Sequence, residues 1–472
     1  MPDWLEEADI SRIQQMFSSG ELTTEELVYE YLGRIANESA LRSLCEVNPD
    51  APAIAAALDR ERRAGSVRGP LHGIPVLLKD NIDTADRMHT SAGSLAIAEH
   101  VAARDSHVAA RLRRAGAVIL GKAAMTEWAN FMTEGMPSGY SSRIGQVKNA
   151  YGAFDPGGSS SGSGVSVSAN LTMLAVGTET SGSILNPASQ NSVVGVKPTI
   201  GFVGRSGIIP ISHSQDTAGP LARTVQDAAH LLWALGGPDR RDPATWSVDL
   251  PAPPALGRDA LHGRRIGVPR KIYLDEVPAD QLEVFNAALG ALQSAGAQVV
   301  DPAEIPTADR EWTFDVLIYE FKADLNAYLR TVRPELGVRS LRELIVFNER
   351  HRRQMLRYGQ TLLLAAEATS GCLTEPDYLR SRRNDLRWSR EEGIDAVLSG
   401  MRLDALVFPS SYGSDIAARA GYPSVSVPCG YTAQGEPVGL TFTGPAFSEA
   451  TLLELAYAFE QHTKVRRPPA AS

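Results

Sequence analysis

Gly157-Gly158-Ser159-Ser160-Ser161-Gly162-Ser163-Gly164 is the stretch on which the fold turns. A flexible linker is the plain reading of such a run. However, Val165, Val167, Leu171, Leu174 and Val176 follow at once, as a core segment would. A phosphate-cradling loop needs Lys and then Ser or Thr after its last glycine, and the segment contains no lysine. Gly158-x-Ser160-x-Gly162 fits a nucleophile elbow, which needs a strand directly before it. Ala153-Phe154-Asp155-Pro156 stands there instead and is loop chemistry.

The flanks carry more. Downstream, a strand over Met173 to Val176 ends in a second small-residue loop, Gly177-Thr178-Glu179-Thr180-Ser181-Gly182-Ser183-Ile184. Upstream, Ile74-Pro75-Val76-Leu77-Leu78-Lys79-Asp80 reads as a buried strand with a lysine at its end. Lysine is scarce here, seven against 39 arginines. Burying an ammonium costs several kcal/mol, so a strand-end lysine is either a snorkelling side chain, a partner for Asp80, or functional.

Alternation of α and β elements surrounds these loops. Ser106 to Ala115 is a helix, and Ala117 to Leu120 a strand. Arg265–Val268, Ala297–Val300, Ala405–Phe408, Ser424–Val427 and Val438–Phe442 are further strands. Gln281 to Ala295 and Glu449 to about Gln461 are helices, the latter capped by Ser448, and residues 311–395 are mostly helical and Arg-rich, a solvated face. Near the N-terminus, Thr23-Thr24-Glu25-Glu26 is a capping box ahead of Leu27, Tyr31 and Ile35 at helical spacing. Such alternation predicts an α/β fold with a mixed or parallel sheet. Gly236 to Gly263, rich in Pro, Asp and Gly, reads as a surface excursion rather than a domain boundary.

Five blocks in order resemble the amidase signature family: Leu77-Leu78-Lys79-Asp80-Asn81, the Gly157–Gly162 and Gly177–Ile184 loops, Val194-Gly195-Val196-Lys197-Pro198-Thr199, and Asp216-Thr217-Ala218-Gly219-Pro220. The signature core spans residues 70–225, with weaker likeness at both ends, so residues 1–472 are expected to form a single amidase domain. The resemblance implies a large mixed twisted β-sheet covered by helices on both faces. It also implies a Ser-Ser-Lys triad, with Ser183 as nucleophile, Ser159 as bridge and Lys79 as base, and a cis peptide bond before Ser159.

The chemistry asks for such residues. An alcohol is a weak nucleophile and needs a base within reach. Lysine serves only when neutral, and desolvation at a strand end lowers its pKa. A hydroxyl accepts one proton while giving another, so Ser159 can relay. The N–H groups of Thr180, Ser181, Gly182 and Ser183 are the oxyanion-hole candidates, where losing one donor costs about 2.7–4 kcal/mol of barrier. His72, His89 and His213 lack a Ser-His-Asp arrangement and need not act. No metal and no cofactor are implied.

Many family members carry an arginine two or three residues after the nucleophile, where it clamps a substrate carboxylate. Leu185 and Asn186 stand there in this chain. The difference, with Arg143-Ile144-Gly145-Gln146 and Asn149, resembles the peptide amidase branch and implies a neutral carboxamide substrate, a C-terminal peptide amide or an aryl or alkyl amide. The alternative is the A-type glutaminase subunit of a tRNA-dependent amidotransferase. Trp128, Asn130 and Tyr319-Glu320-Phe321 are candidates for the pocket wall.

Composition excludes other classes. With 46 basic and 55 acidic residues the net charge is −9, without the basic footprint of a nucleic-acid binder. Cys45, Cys372 and Cys429 lie far apart, which argues against a disulfide framework or a zinc site and fits a reducing cytoplasm. No apolar run is long enough to span a membrane, and the acidic N-terminal residues predict no secretory leader. A peptide or small-molecule amide is the expected partner, and homo-oligomerisation is left open.

Overall fold

A computed structural model describes residues 4–470. Thirteen strands are present among them: β1 (Leu44–Val47), β2 (Pro75–Lys79), β3 (Val118–Ala123), β4 (Tyr140–Ser141), β5 (Gly145–Gln146), β6 (Leu174–Glu179), β7 (Val194–Lys197), β8 (Thr217–Ala222), β9 (Arg265–Gly267), β10 (Gln298–Val300), β11 (Ala405–Pro409), β12 (Ser424–Tyr431) and β13 (Pro437–Thr443). Eleven form one sheet in the order β1-β3-β2-β6-β8-β7-β12-β13-β11-β9-β10, and β4 pairs β5 apart from it. The sheet is mixed. β3, β2 and β6 run parallel, as do β11, β9 and β10, and the pairs between these groups are antiparallel. Helices cover both faces, as expected of the signature fold.

The central strands are apolar without alternation because both faces are covered. Val76, Leu77 and Leu78 of β2, and Leu174, Ala175 and Val176 of β6, are all fully buried. Strands on both sides of the Pro-rich segment 236–263 join this one sheet, since β7 pairs β12 antiparallel. Within that segment only a short turn of helix, Pro243–Thr245, forms.

Local chemistry sets the helix starts. Thr23 Oγ1 accepts from Glu26 N–H and Glu26 Oε2 accepts from Thr23 N–H, closing the capping box. Ser106 caps His107–Ala115 through the Ala109 N–H. Ser448 precedes Glu449–Thr463 but makes no side-chain cap; its hydroxyl donates to Pro445 O instead. Helices between Asp315 and Met401 form the Arg-rich region. The first of them, Asp315–Leu329, packs Phe321, Leu325 and Leu329 with Trp128, Phe131 and Met132 into a second apolar cluster beside the sheet. All three cysteines are free thiols. Among the described residues, no helix is long and apolar enough to cross a membrane.

Candidate active site

Parallel pairing of β2 and β6 brings their C-terminal ends together, with Leu78 opposite Val176. Lys79 therefore ends one strand beside Thr178 and Glu179 at the end of the other, which leads into the Thr180–Ile184 loop. In open α/β sheets such carboxyl ends are where ligands bind.

The Gly/Ser run sits across these ends and enters the buried helix Ser161–Ser168. Close backbone approach makes this seat. A Cβ on Gly162 would lie 2.2 Å from Ser43 O and 2.5 Å from Ala124 N, so only glycine fits. Ser160 ties the two loops: its hydroxyl donates to Thr178 O (3.1 Å) and its N–H to Ser183 O (3.2 Å). The Gly158–Ser159 peptide bond is cis, as the resemblance implied.

Lys79 is fully buried. Its Nζ donates to Ser159 Oγ (2.8 Å), Thr178 Oγ1 (2.9 Å) and Thr178 O (3.1 Å). Burial brings its pKa down to about 7, against the opposing pull of the Glu179 and Asp216 carboxylates. Asp80 is not its partner. That carboxylate pairs with Arg143 Nη1 at 3.0 Å. Asn81 Nδ2 donates to the same Thr178 Oγ1 at 3.0 Å, fixing the hydroxyl that Lys79 contacts.

Ser183 lines a cleft of about 580 Å³ and is 9% exposed. Among the described residues its hydroxyl has no hydrogen-bond partner, so the Lys79–Ser159 contact does not extend to it here. The N–H groups of Thr180, Ser181, Gly182 and Ser183 donate to no carbonyl of the described chain. Gly182 carries the φ of +77° that turns the loop. Its N–H lies near the buried Glu179 carboxylate, which accepts firmly from Ile184 N–H (2.7 Å) and Leu185 N–H (3.0 Å). Thr180 Oγ1 donates to Asp216 Oδ1, and Asp216 Oδ2 accepts from Ile211 N–H (2.8 Å) and Ser212 N–H (2.9 Å). Desolvation pushes Asp216 up to about 6.

The pocket-wall candidates divide. Asn130 lines the cleft, whereas Trp128 is 2% exposed and packs in the apolar cluster behind it. Trp128, Ala129 and Asn130 all have left-handed backbone, and that turn presents Ala129 and Asn130 to the cleft in place of the indole. Of Tyr319-Glu320-Phe321, none lines it. Phe321 is core, and Glu320 is fully buried, accepting from Ser212, Ser214 and Tyr378. The helix instead offers Leu317 and Ile318, one turn earlier.

Asn186 holds the loop before Ser159, its Oδ1 accepting the Gly158 N–H at 2.9 Å. Gln146 and Asn149 are structural, donating to the carbonyls of Ser138 and Asp155. His213 lies against Asp324 and Glu320, with ligand-type atoms within 4.8 Å of one another. His213 Nδ1 lies 2.9 Å from Asp324 Oδ2, and Glu320 already takes four donors, so an ion-pair network accounts for the group.

Thr178, Asn81 and Asp216 each stand in a block of the signature, yet nothing in their local pattern assigns them these contacts. Asp415 has no sequence signal at all. It reaches the site from the helix Ser414–Ala420, accepting the Ser181 hydroxyl with Oδ1.

Known proteins share this architecture. The Amidase family model matches residues 26–453. A probable amidase of Arabidopsis thaliana is 41% identical, covering 98% of this chain and 92% of that protein. The crystal structure of native peptide amidase from Stenotrophomonas maltophilia superposes with a TM-score of 0.92 at 47% identity, covering 98% of each chain. The A-type component of the glutamyl-tRNA(Gln) amidotransferase from Symbiobacterium thermophilum is 32% identical over 96% of each chain.

Proposed function

The chain belongs to the amidase family and is an amide hydrolase, and from that premise we propose that it cleaves neutral carboxamides, C-terminal peptide amides among them, with Ser183, Ser159 and Lys79. One observation carries this reading: a fully buried lysine, its pKa lowered to about 7, touches a serine hydroxyl at 2.8 Å beside the nucleophile loop.

In this mechanism Lys79 is neutral for about half the molecules at pH 7. The unbonded Ser183 hydroxyl turns toward Ser159. As Ser183 Oγ attacks the carbonyl carbon, its proton passes to Ser159 Oγ, and the Ser159 proton passes to Lys79 Nζ. The carbonyl oxygen becomes an oxyanion facing the N–H groups of Thr180, Ser181 and Ser183, the Gly182 N–H being turned toward Glu179, and Asp216 anchors that loop through Thr180. Collapse breaks the C–N bond, the proton returns through Ser159 to the leaving nitrogen, and an acyl-Ser183 ester remains. Water, deprotonated along the same route, releases the acid.

The cleft wall supports a substrate without a carboxylate. Phe131, Ile211, Phe314, Leu317, Ile318 and Leu362 line it, and among the described residues no lysine, arginine or histidine does. A glutaminase needs a cation there for the α-carboxylate of glutamine. Ammonia release from an amidated dipeptide, a neutral aryl amide and free glutamine tests both parts. Preference for glutamine overturns the reading of a substrate without a carboxylate. Undiminished activity in Lys79→Ala, or fluorophosphonate labelling that persists in Ser183→Ala, overturns the triad.

A further inference from the structure

The cleft that holds Ser183 is not electrically neutral. Its two ionisable side chains are Glu134 and Asp415, both exposed. Neither forms an ion pair among the described residues. Asp415 takes the Ser181 hydroxyl on Oδ1 alone, leaving Oδ2 without a hydrogen bond. Its helix abuts the nucleophile loop closely: a Cβ on Gly182 would lie 3.1 Å from Ser414 Oγ. A carboxylate on the cleft lining is thus held against Ser181, two residues before Ser183, with apolar side chains elsewhere on the same lining. A concave wall of one sign, backed by low-dielectric groups, concentrates counter-charge.

We infer that the cleft selects carboxamides whose acyl part is apolar and also carries a cation, an ammonium or guanidinium, read by Asp415 beside the nucleophile loop and by Glu134 on the cleft wall. This rests on the amide-hydrolase reading and names its substrate class. Bonding of Ser181 leaves Asp415 one oxygen for the ligand. A carboxylate-bearing acyl group meets two like charges and no counter-ion, so it is rejected.

The test is ammonia release at low salt from N-acetyl-arginine amide, its neutral isostere N-acetyl-citrulline amide, and N-acetyl-glutamate amide. Citrulline amide with a free α-amine, against its acetylated form, separates an α-ammonium from a side-chain cation as the group recognised. Exposed ion pairs contribute up to about fivefold each, so the two carboxylates should favour arginine over citrulline by roughly fivefold to tenfold in kcat/KM. Recognition of the α-ammonium instead should move that preference to the free-amine substrate. Asp415→Asn keeps an acceptor for Ser181 and removes the charge, as Glu134→Gln does at the second carboxylate. In the double variant the ratio should approach one, and in wild type it should shrink at about 0.5 M salt. A cationic preference of one or less in both wild-type comparisons, or a ratio unchanged in the double variant, overturns the inference while leaving the hydrolase reading intact. No ammonia from any of these amides overturns both.

Discussion

Replacing Lys79 with methionine should give a stability difference that changes with pH in a way only a titrating buried amine produces. The amine has its ordinary value of 10.5 when exposed and about 7 in the fold. Between these values the unfolded chain binds more protons than the folded one, so stability rises with pH across that window. Linkage puts the cost of holding Lys79 buried at about 4 kcal/mol at pH 7, about 2 kcal/mol at pH 9 and near zero above pH 11. Methionine removes this cost and fills similar volume. It also removes three hydrogen bonds, to Ser159 and twice to Thr178, at about 1 kcal/mol each and independent of pH over this range. The variant should thus be more stable than wild type by about 1 kcal/mol at pH 7 and less stable by about 1 kcal/mol at pH 9. Urea unfolding followed by tryptophan fluorescence at pH 7, 8 and 9 measures this. The change of about 2 kcal/mol between the end points does not depend on what the hydrogen bonds contribute. A difference that stays flat across this range means the amine remains an ammonium in the fold, and the proposed base is then unavailable. The same titration should appear as an acid limb near pH 7 in kcat/KM, with activity rising as Lys79 loses its proton.

Asn186→Ala should lower kcat by roughly tenfold, because the Gly158 N–H loses its acceptor next to Ser159; steady-state ammonia release reads this, and an unchanged kcat refutes the positioning role. Thr180→Val should weaken the loop's anchor to Asp216 and lower kcat about tenfold with little change in KM, whereas a pure KM effect would place Thr180 in ground-state binding instead. Gly162→Ala should fail to give soluble folded enzyme, since the added methyl meets the Ser43 carbonyl and the Ala124 backbone; a wild-type circular dichroism spectrum and melting temperature would contradict the packing described.

Local pattern made much of this molecule legible. The uninterrupted apolar runs at Ile74–Leu78 and Met173–Val176 identify strands buried on both faces, and the structure has β2 and β6 there. The capping box at Thr23 and the Ser106 cap are likewise encoded within four residues. Strands β7 and β8 fall in signature blocks whose residues do not read as strands. Val194-Gly195-Val196-Lys197 and Thr217-Ala218-Gly219-Pro220 mix glycine and proline into β segments, and their propensity is overridden by pairing with β6 and β12. A run of four residues does not carry enough periodicity to compete with its own turn formers.

What the chain specified by itself was a lysine at the end of a buried strand and two serine loops, because hydrophobic patterning and small-residue runs are properties of neighbours along the chain. The depression of Lys79, the choice of Arg143 over Lys79 as partner of Asp80, the withdrawal of Trp128 into the core and the arrival of Asp415 at Ser181 were decided only in three dimensions. Desolvation and ion pairing depend on everything packed within a few ångströms, and here that company comes from segments as much as 234 residues apart.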